Sequence, residues 1–325
     1  MRAIVIRQFG GPEQLAIEQL ADPEPKPGLV TIEVKAFGVN HAETHMRKGE
    51  WAEAAKVSGI ECVGVVKADP DGKFKPGQKV ATLMGGLGRS LNGSYAECTQ
   101  APATNVVPIE SRLAWEELAA IPESYATAWM CLHGNLQVRR GETLVLRGAT
   151  SALGQAALNT AAAEGVTVIS TTRNRERFAT LEGLGASEVL QEGPEMSRRV
   201  RELYPKGVDA VLELVGNSTL LDSLKMLRRG GRLCEAGWLG GLAPIAEFNP
   251  LMQMPSGVQL SLFGSFVFGT PEFPLTEVPL QTIVDRVAQG TYKAKPARVF
   301  RFEEIQEAHR LMESNQANGK IVVVV

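Results

Sequence analysis

Cysteine is scarce in this chain, and the four cysteines present are isolated from one another. Cys62, Cys98, Cys131 and Cys234 include no Cys-x-x-Cys pair and have no nearby histidine partner. A structural zinc lobe needs several cysteines close together, so the sequence predicts none. Four cysteines would suffice for two disulfides in a secreted chain, but no other feature is typical of secretion. We therefore expect buried, reduced thiols.

Long apolar runs and a strong charge of either sign are also missing. No apolar stretch approaches the roughly 20 residues that span a bilayer, and the first residues read as a strand rather than a signal peptide. The net charge of −2 argues against nucleic acid or an anionic membrane as a partner, because neither would be attracted over a broad surface. We expect a cytoplasmic protein, and the 325 residues suggest two domains.

A short apolar strand, a turn of small residues and an alanine-rich helix occupy residues 143–157. Such a turn lets backbone N–H groups approach a pyrophosphate at the positive end of the helix. The Gly-x-Gly-x-x-Gly pattern is partly kept, and a tight turn without a ligand is the alternative. The predicted cofactor contacts in this turn are Ala149, Thr150, Ser151, Ala152, Leu153 and Gly154.

A second strand, Val166–Ser170, completes a strand–helix–strand unit of about 30 residues, as a parallel sheet requires. An NAD site of this design has an acid about 20 residues past the glycines, which binds the ribose 2′-hydroxyl. Here the strand ends without an acid at its tip, and arginine suits a 2′-phosphate. The sequence therefore predicts NADPH, although a solvated basic helix start is the alternative. The predicted contacts are Thr171, Thr172, Arg173, Arg175 and Arg177.

The predicted secondary-structure pattern changes along the chain. Residues 1 to about 120 hold short β-patterned runs between Pro/Gly turns, whereas residues 125–263 alternate strand with helix. The second pattern predicts an α/β fold with a doubly wound parallel sheet. The tail adds two helix-like stretches and two strands, the last of them Lys320–Val325.

Over nearly its full length the chain resembles the zinc-independent medium-chain dehydrogenase/reductases, in the quinone oxidoreductase (zeta-crystallin-like) branch. The resemblance implies a β-rich GroES-like domain from residues 1–122 and 266–325. It also implies a Rossmann NADP(H)-binding domain from residues 123–265, with the nicotinamide in the cleft between the domains. The motifs that carry it, in order, are Gly10–Glu13, Ala36–Asn40, Gly59–Val66, Phe74–Val80, the phosphate turn, Leu184–Ala186, Gly230–Arg232, Glu307–His309 and Gly319–Lys320.

The resemblance also implies an enzyme without zinc. The positions that match the zinc ligands of related dehydrogenases are Asn40, Ile60 and the segment 124–127, and none supplies a thiolate or an imidazole. Of the usual set only Glu61 remains, and one carboxylate cannot hold a catalytic zinc. His41 and His45 lie close by in sequence and offer an alternative metal reading, but a third ligand is missing.

Three residues are candidates for catalysis. Asn40 matches an asparagine of quinone-reductase relatives, and its amide would hold the nicotinamide ribose or the acceptor oxygen; a turn-capping asparagine is the alternative. His45 and Trp51 stand where those relatives carry tyrosine. His45 can donate a proton, unless it is a surface residue, and Trp51 offers only an indole N–H. Trp51 argues against an enoyl-thioester reductase, because similar enzymes use a tyrosine near this position to protonate the substrate.

The resemblance implies further cofactor contacts around the nicotinamide and the phosphates. Thr127 opens the central domain, and the loop at residue 237 follows a strand. The apolar segment at residue 263 would flank the nicotinamide, with a plain strand core as the alternative. Lys320 follows Gly319 and would reach the cofactor phosphates, unless it is a surface lysine. These predicted contacts are Thr127, Gly237, Trp238, Leu239, Phe263, Gly264, Ser265 and Lys320.

The sequence thus predicts an NADPH-dependent, zinc-free oxidoreductase that transfers a hydride to a quinone or another activated enone. A 2-alkenal or enoyl-thioester reductase is the enzymatic alternative, and a cofactor-binding structural or RNA-binding protein is the non-enzymatic one. We also expect a homodimer through an edge strand at Val258–Phe266, since such an edge would otherwise stay exposed.

Overall fold

The structure is a computed structural model that describes residues 1–51 and 53–325. Its strands are β1 (Arg2–Ile6), β2 (Leu15–Gln19), β3 (Leu29–Val39), β4 (Glu61–Ala68), β5 (Lys79–Leu83), β6 (Cys98–Pro102), β7 (Val106–Pro108), β8 (Thr143–Arg147), β9 (Thr167–Thr172), β10 (Glu188–Gln191), β11 (Val208–Glu213), β12 (Leu227–Glu235), β13 (Gln259–Leu262), β14 (Arg298–Arg301) and β15 (Ile321–Val324). Its α-helices are α1 (His41–Lys48), α2 (Trp115–Leu118), α3 (Pro122–Trp129), α4 (Ala152–Ala163), α5 (Phe178–Gly183), α6 (Met196–Leu203), α7 (Asn217–Leu224), α8 (Pro250–Gln253), α9 (Leu280–Ala288) and α10 (Ile305–Glu313).

The first compact unit joins the two ends of the chain, residues 1–126 and 265–325. Its larger sheet has the order β14-β15-β3-β4-β5-β7, with β6 also paired to β3. Apolar residues of the long strand β3, Phe37 among them, pack with Tyr95 in one core. The last strand, β15, runs antiparallel to β3 with Ile321 opposite Val39. This pairing brings residue 320 beside the start of α1.

The second unit, residues 127–264, is built on a parallel sheet of order β10-β9-β8-β11-β12-β13. Numbered within the unit, this is the order 3-2-1-4-5-6 of a Rossmann fold, in which a dinucleotide binds outside the carboxyl ends of the strands at the reversal point. The reversal lies between β8 and β11, which pair in parallel. The expected combination of a GroES-like β domain with a Rossmann domain is confirmed, whereas the boundaries at 122/123 and 265/266 stay a prediction.

The edge of the parallel sheet is shorter than the expected strand at Val258–Phe266. β13 ends at Leu262, and a 3-10 turn covers Ser265–Val267. Beyond the end of β13, Phe263 N still donates to Glu235 O at 2.9 Å. Leu260 and Leu262 are 37% and 55% exposed.

Within the described part of the chain, no helix is long and apolar enough to cross a membrane. The cysteine prediction is confirmed, because Cys62, Cys98, Cys131 and Cys234 are all free and buried.

A buried histidine makes the first unit sensitive to acid. His309 on α10 is fully buried, and its Nε2 lies 3.1 Å from the hydroxyl of Tyr95. Burial, and then the charge of Arg47, lower the pKa of His309 from 6.5 to about 3. Burial also holds the pKa of Tyr95 well above its usual range, so the hydroxyl stays protonated and is hydrogen-bonded to a neutral imidazole. Folding therefore requires this histidine to remain neutral.

We expect His309→Gln to remove part of the protein's acid sensitivity. Between pH 6.5 and about 3 the unfolded chain binds a proton at His309 that the folded chain does not. The free energy of unfolding therefore falls as pH falls, by about 1.4 kcal/mol per pH unit from this residue. Glutamine keeps a hydrogen-bonding group for Tyr95 but takes up no proton. Urea unfolding at pH 7 and pH 5 measures the difference, which should shrink by about 2 kcal/mol in the variant; an unchanged difference would contradict the assignment.

Candidate active site

The turn between β8 and α4 has the geometry of a phosphate cradle. Ser151 is the N-cap of α4, and its Oγ accepts the N–H of Gly154 at 3.0 Å while donating to Gly148 O at 2.9 Å. Gly148 has φ +79°, and a Cβ on Gly154 would lie 2.6 Å from Gly148 O. The first N–H groups of α4, at Ala152 and Leu153, have no acceptor within the helix and point along its axis. The turn therefore fits a pyrophosphate at the positive end of α4.

The arginines that follow β9 differ in their surroundings. Arg177 places Nη1 3.4 Å from Thr150 Oγ1, which brings a guanidinium to the phosphate turn. Arg175 donates to Gln191 Oε1 at 2.7 Å, and Arg173 is exposed. At least one of the predicted cations therefore lies beside the cradle.

The two threonines at the end of β9 are buried and already bonded within the fold. Thr171 Oγ1 donates to Glu192 Oε2 at 2.7 Å, and Thr172 Oγ1 accepts the N–H of Asn174 at 3.3 Å. Glu192, which follows β10, was not predicted as part of the site. Nothing local in the sequence indicates it, because the parallel pairing of β10 with β9 is what brings it to Thr171.

The other predicted contacts of the Rossmann unit lie near its carboxyl edge or its ends. The loop Gly237–Leu239 folds back over β11, with the Leu239 N–H on Leu214 O at 3.1 Å. A Cβ on Gly148 would lie 3.0 Å from Leu239 Cδ1, so this loop reaches the phosphate turn. Thr127 and Phe263 are buried at the two ends of the unit. Trp238 belongs to the same loop, Gly264 ends the unit, and Ser265 begins the next segment of the GroES-like unit.

A buried arginine and several carboxylates lie beneath this edge. Arg147 ends β8 and contacts Glu192, Glu213 and Asp222. On the next strand Glu235 lies in register with Glu213. Burial, and then the charge of Glu213, raise the pKa of Glu235 to about 7. The sequence analysis assigned none of these residues a role.

In the GroES-like unit, Asn40 belongs to a cluster of four polar residues. Its Nδ2 donates to Glu61 Oε1 at 2.9 Å and to Glu43 Oε1 at 3.3 Å. Its Oδ1 accepts from Lys320 Nζ at 2.6 Å, and Lys320 is also paired with Glu61. Asn40 is the N-cap residue of α1, but its side chain makes no capping bond to the helix. The amide therefore bonds to the side chains of Glu61, Glu43 and Lys320 rather than to the backbone of the helix.

Glu43 completes the cluster from the first turn of α1. Its Oε2 accepts the Asn40 N–H at 2.8 Å and its Oε1 accepts the Ile60 N–H at 3.1 Å. Burial raises the pKa of this carboxyl to about 7. The sequence analysis did not single out Glu43, although the spacing Asn40-His-Ala-Glu43 is that of a capping box and would have indicated it.

Lys320 lies with Asn40 and Glu61 in this cluster, in a different unit from the phosphate turn. A contact between Lys320 and the cofactor phosphates stays a prediction.

His45 and Trp51, the two other catalytic candidates, lie side by side. Their rings are nearly parallel, with 8° between the planes and 5.7 Å between the centroids. His45 Nδ1 lies 2.5 Å from Glu50 Oε2. Gly49 adopts φ 73° at the end of α1, and Glu50 N bonds back to His45 O at 3.0 Å. This left-handed helix end carries Glu50 back to His45. Sequence reasoning missed Glu50, and the glycine after the helix was the available signal.

A carboxylate on Nδ1 sets the chemistry of this histidine. Glu50 can only accept when ionised, so it fixes Nδ1 as the N–H and leaves Nε2 for another partner. The side chain of His45 is 20% exposed, which leaves it reachable by solvent. The arrangement can donate or accept one proton at Nε2. Over the described residues, no group of three or more His, Cys, Asp or Glu side chains is arranged to hold a metal ion.

Comparison with known proteins agrees with both units. The alcohol dehydrogenase GroES-like domain model matches residues 26–111, and a zinc-binding dehydrogenase model matches residues 184–323. Human quinone oxidoreductase is 30% identical over an alignment of 336 positions, which covers 100% of this chain and 98% of that protein. A 2-haloacrylate reductase from Burkholderia sp. is 28% identical over 99% of this chain and 98% of its own. A solved mycobacterial protein complexed with NADPH has a TM-score of 0.88 at 26% identity, with both chains covered completely.

The Rossmann strand order, the phosphate turn and these matches define an NAD(P)H-dependent oxidoreductase. The chain belongs to the medium-chain dehydrogenase/reductase family, in its quinone oxidoreductase branch. The family resemblance seen in the sequence is confirmed.

Proposed function

We propose that the protein is an NADPH-dependent, zinc-free reductase of quinones or other activated enones. The observation that carries the proposal is the donor set around Asn40. Where zinc-using relatives have metal ligands, this chain has an amide at Asn40 and an alkyl group at Ile60. The ammonium of Lys320 bonds to Asn40 and Glu61 instead. A single carboxylate, Glu61, that is already paired with an ammonium group is a poor site for Zn²⁺. One matching family model is nevertheless described as zinc-binding.

Such a donor set favours one class of acceptor. With no strong Lewis acid to polarise a plain carbonyl, hydride transfer is easiest to an acceptor that spreads the arriving negative charge. Quinones and α,β-unsaturated carbonyls do so. The relative named 2-haloacrylate reductase supports an activated alkene as the second candidate acceptor.

The preference for NADPH rests on Arg177 and Arg173. Arg177 already touches Thr150 of the phosphate turn, and Arg173 is exposed at the end of β9, where no acid stands at the tip. Bound NADPH supplies the hydride. The planar donor forks of the arginines suit the oxygens of its 2′-phosphate.

The proton that accompanies the hydride is assigned to His45. Reduction of a quinone by one hydride leaves a negative oxygen, which must gain a proton. His45 Nε2 carries that proton when the ring is protonated, while Glu50 holds Nδ1. Solvent returns a proton to the ring, because the side chain is partly exposed. The Trp51 ring stacks against the imidazole.

The first test is NADPH oxidation with an ortho-quinone in metal-chelated buffer, with NADH as the control cofactor. We expect turnover that is selective for NADPH. In Arg173→Ala/Arg177→Ala, loss of two charge-assisted hydrogen bonds should weaken NADPH binding by roughly 100-fold and leave NADH binding unchanged. Arg198→Ala is the matched control, since Arg198 is 75% exposed on α6 of the same unit. Equal affinity of the wild type for the two cofactors would contradict the NADPH preference, and one zinc per chain would contradict the zinc-free site.

A homodimer and a cytoplasmic location are further proposals. The free edge of β13 and the exposed side chains of Leu260 and Leu262 support self-association. Sedimentation at micromolar concentration tests the homodimer, since a monomeric mass would argue against it.

A further inference from the structure

A groove with a cavity volume of about 500 Å³ lies on the surface of the GroES-like unit, between strand β14 and helix α10. β14 is the last strand of the larger sheet, and over the described residues β15 is its one partner strand. In a strand at the edge of a sheet, every second residue directs its backbone N–H and C=O away from the sheet, where they can pair with another chain. The groove is lined by Arg298, Val299, Phe300, Glu304, Glu307 and Leu311.

The groove offers apolar surface beside this free edge. Phe300 on β14 and Leu311 on α10 are half-buried, and both pack against the core of the unit. Val299 is 47% exposed, although valine is usually buried. In an extended segment that lies along β14, alternate side chains point to the same side. An apolar side chain of such a segment would therefore contact Phe300 and Leu311 while its backbone pairs with the edge.

The charges around the groove leave one cation without a counterion. Glu304 accepts the Arg301 N–H at 2.8 Å and lies 3.5 Å from Arg301 Nε, and Glu307 is paired with Arg310. Arg298 is exposed, and no carboxylate of the described chain is paired with it. Its planar guanidinium suits a carboxylate, which it can bind with two parallel hydrogen bonds. The electrostatic complement of the groove is therefore an acidic group.

A second copy of β14 does not supply that group. Antiparallel pairing of the strand with its own copy would set Arg298 opposite Arg301, and like charges that face each other destabilise a sheet. The complement must come from a different chain segment, one that carries a carboxylate next to an apolar side chain.

We propose that this groove binds an extended, acidic segment of a partner protein, which adds to the free edge of β14 as a further strand. Backbone hydrogen bonds to β14 hold the segment, an apolar side chain packs on Phe300 and Leu311, and a carboxylate pairs with Arg298. All the lining residues belong to the GroES-like unit. None of them is a catalytic or cofactor candidate, so the inference does not depend on the proposed function.

Fluorescence polarisation with labelled synthetic peptides tests the proposal on the full chain. The probe is Asp-Val-Thr-Val-Asp with a blocked carboxyl end, and Lys-Val-Thr-Val-Lys is its charge-reversed counterpart. We expect the acidic peptide to bind at least about tenfold more tightly, because a charge-assisted hydrogen bond to Arg298 is gained. Arg298→Glu should reverse this preference. Arg112→Glu is the matched control, since Arg112 is exposed on the same unit and does not line the groove.

A third peptide separates strand addition from simple charge attraction. Asp-Val-Pro-Val-Asp keeps both carboxylates but lacks the central N–H, so it should bind at least about tenfold more weakly than the threonine peptide. Equal binding of these two peptides would overturn the proposal, as would acidic binding that survives Arg298→Glu. Peptide binding that is lost as the protein concentration rises would assign the edge to a second copy instead. No binding of the acidic peptide at about 1 mM would mean that the arginines only protect the edge from aggregation.

Discussion

Arg147→Met should lower the free energy of unfolding by about 3–5 kcal/mol, the usual cost of breaking a buried ion pair from one side. Arg147 is 1% exposed and donates to Glu192, to Asp222 Oδ2 at 3.1 Å and to Ser223 Oγ at 3.0 Å. Its Nε also lies 3.9 Å from the fully buried Glu213. Methionine fills a similar volume but leaves these carboxylates without their shared cation. Urea unfolding followed by circular dichroism measures the loss.

The loss in the free energy of unfolding should depend on the shape of the cationic group at position 147. Arg147→Lys keeps the charge but not the planar fork, so we expect an intermediate loss. Arg198→Met is the control, because its pair with Glu202 is exposed and worth at most about 0.5 kcal/mol. A loss below 1 kcal/mol in Arg147→Met would contradict the structural role of Arg147. Arg147 matters for the site as well, because Gly148 of the phosphate turn follows it directly.

Local sequence patterns predicted the fold well where the elements that contact one another are consecutive in the chain. The phosphate turn is an example, since the strand, the small residues and the helix are consecutive. The helix was expected from Gln155 and begins at Ala152. The reason is the Ser151 cap, which satisfies the Gly154 N–H and extends the helix by about one turn. The expected strand at Val258–Phe266 was too long, because β13 ends at Leu262 and a 3-10 turn covers Ser265–Val267.

Residues brought together by pairing of distant strands were beyond a reading of the sequence. Lys320 is bonded to Asn40 because β15 pairs with β3 across most of the chain length, a contact that no local pattern predicts. Glu192 reaches Thr171 only through the pairing of β10 with β9. Resemblance to relatives supplied Asn40 and His45, but it gave no information on Glu50, whose position depends on the helix end at Gly49.

His45→Phe should reduce kcat for quinone reduction by about 10²-fold or more, which is the usual contribution of a positioned general acid. The affinity for NADPH should not change, since the proposed role of His45 concerns the acceptor oxygen alone. Phenylalanine keeps the contact with the Trp51 ring, so the local packing survives. Stopped-flow hydride transfer at saturating NADPH measures the effect, and a solvent isotope effect present in the wild type should disappear in the variant.

Glu50→Gln separates proton transfer from simple packing at His45. The amide has nearly the shape of the carboxylate, but it loses the negative charge that makes Glu50 an acceptor only, so it no longer holds Nδ1 as the N–H. We therefore expect kcat to fall about tenfold, less than in His45→Phe, because the imidazole itself remains. In His45→Phe/Glu50→Gln the second change should have no further effect, since Glu50 acts only through His45. Losses that multiply would instead assign Glu50 a role of its own, and full activity in His45→Phe would move the proton source to solvent.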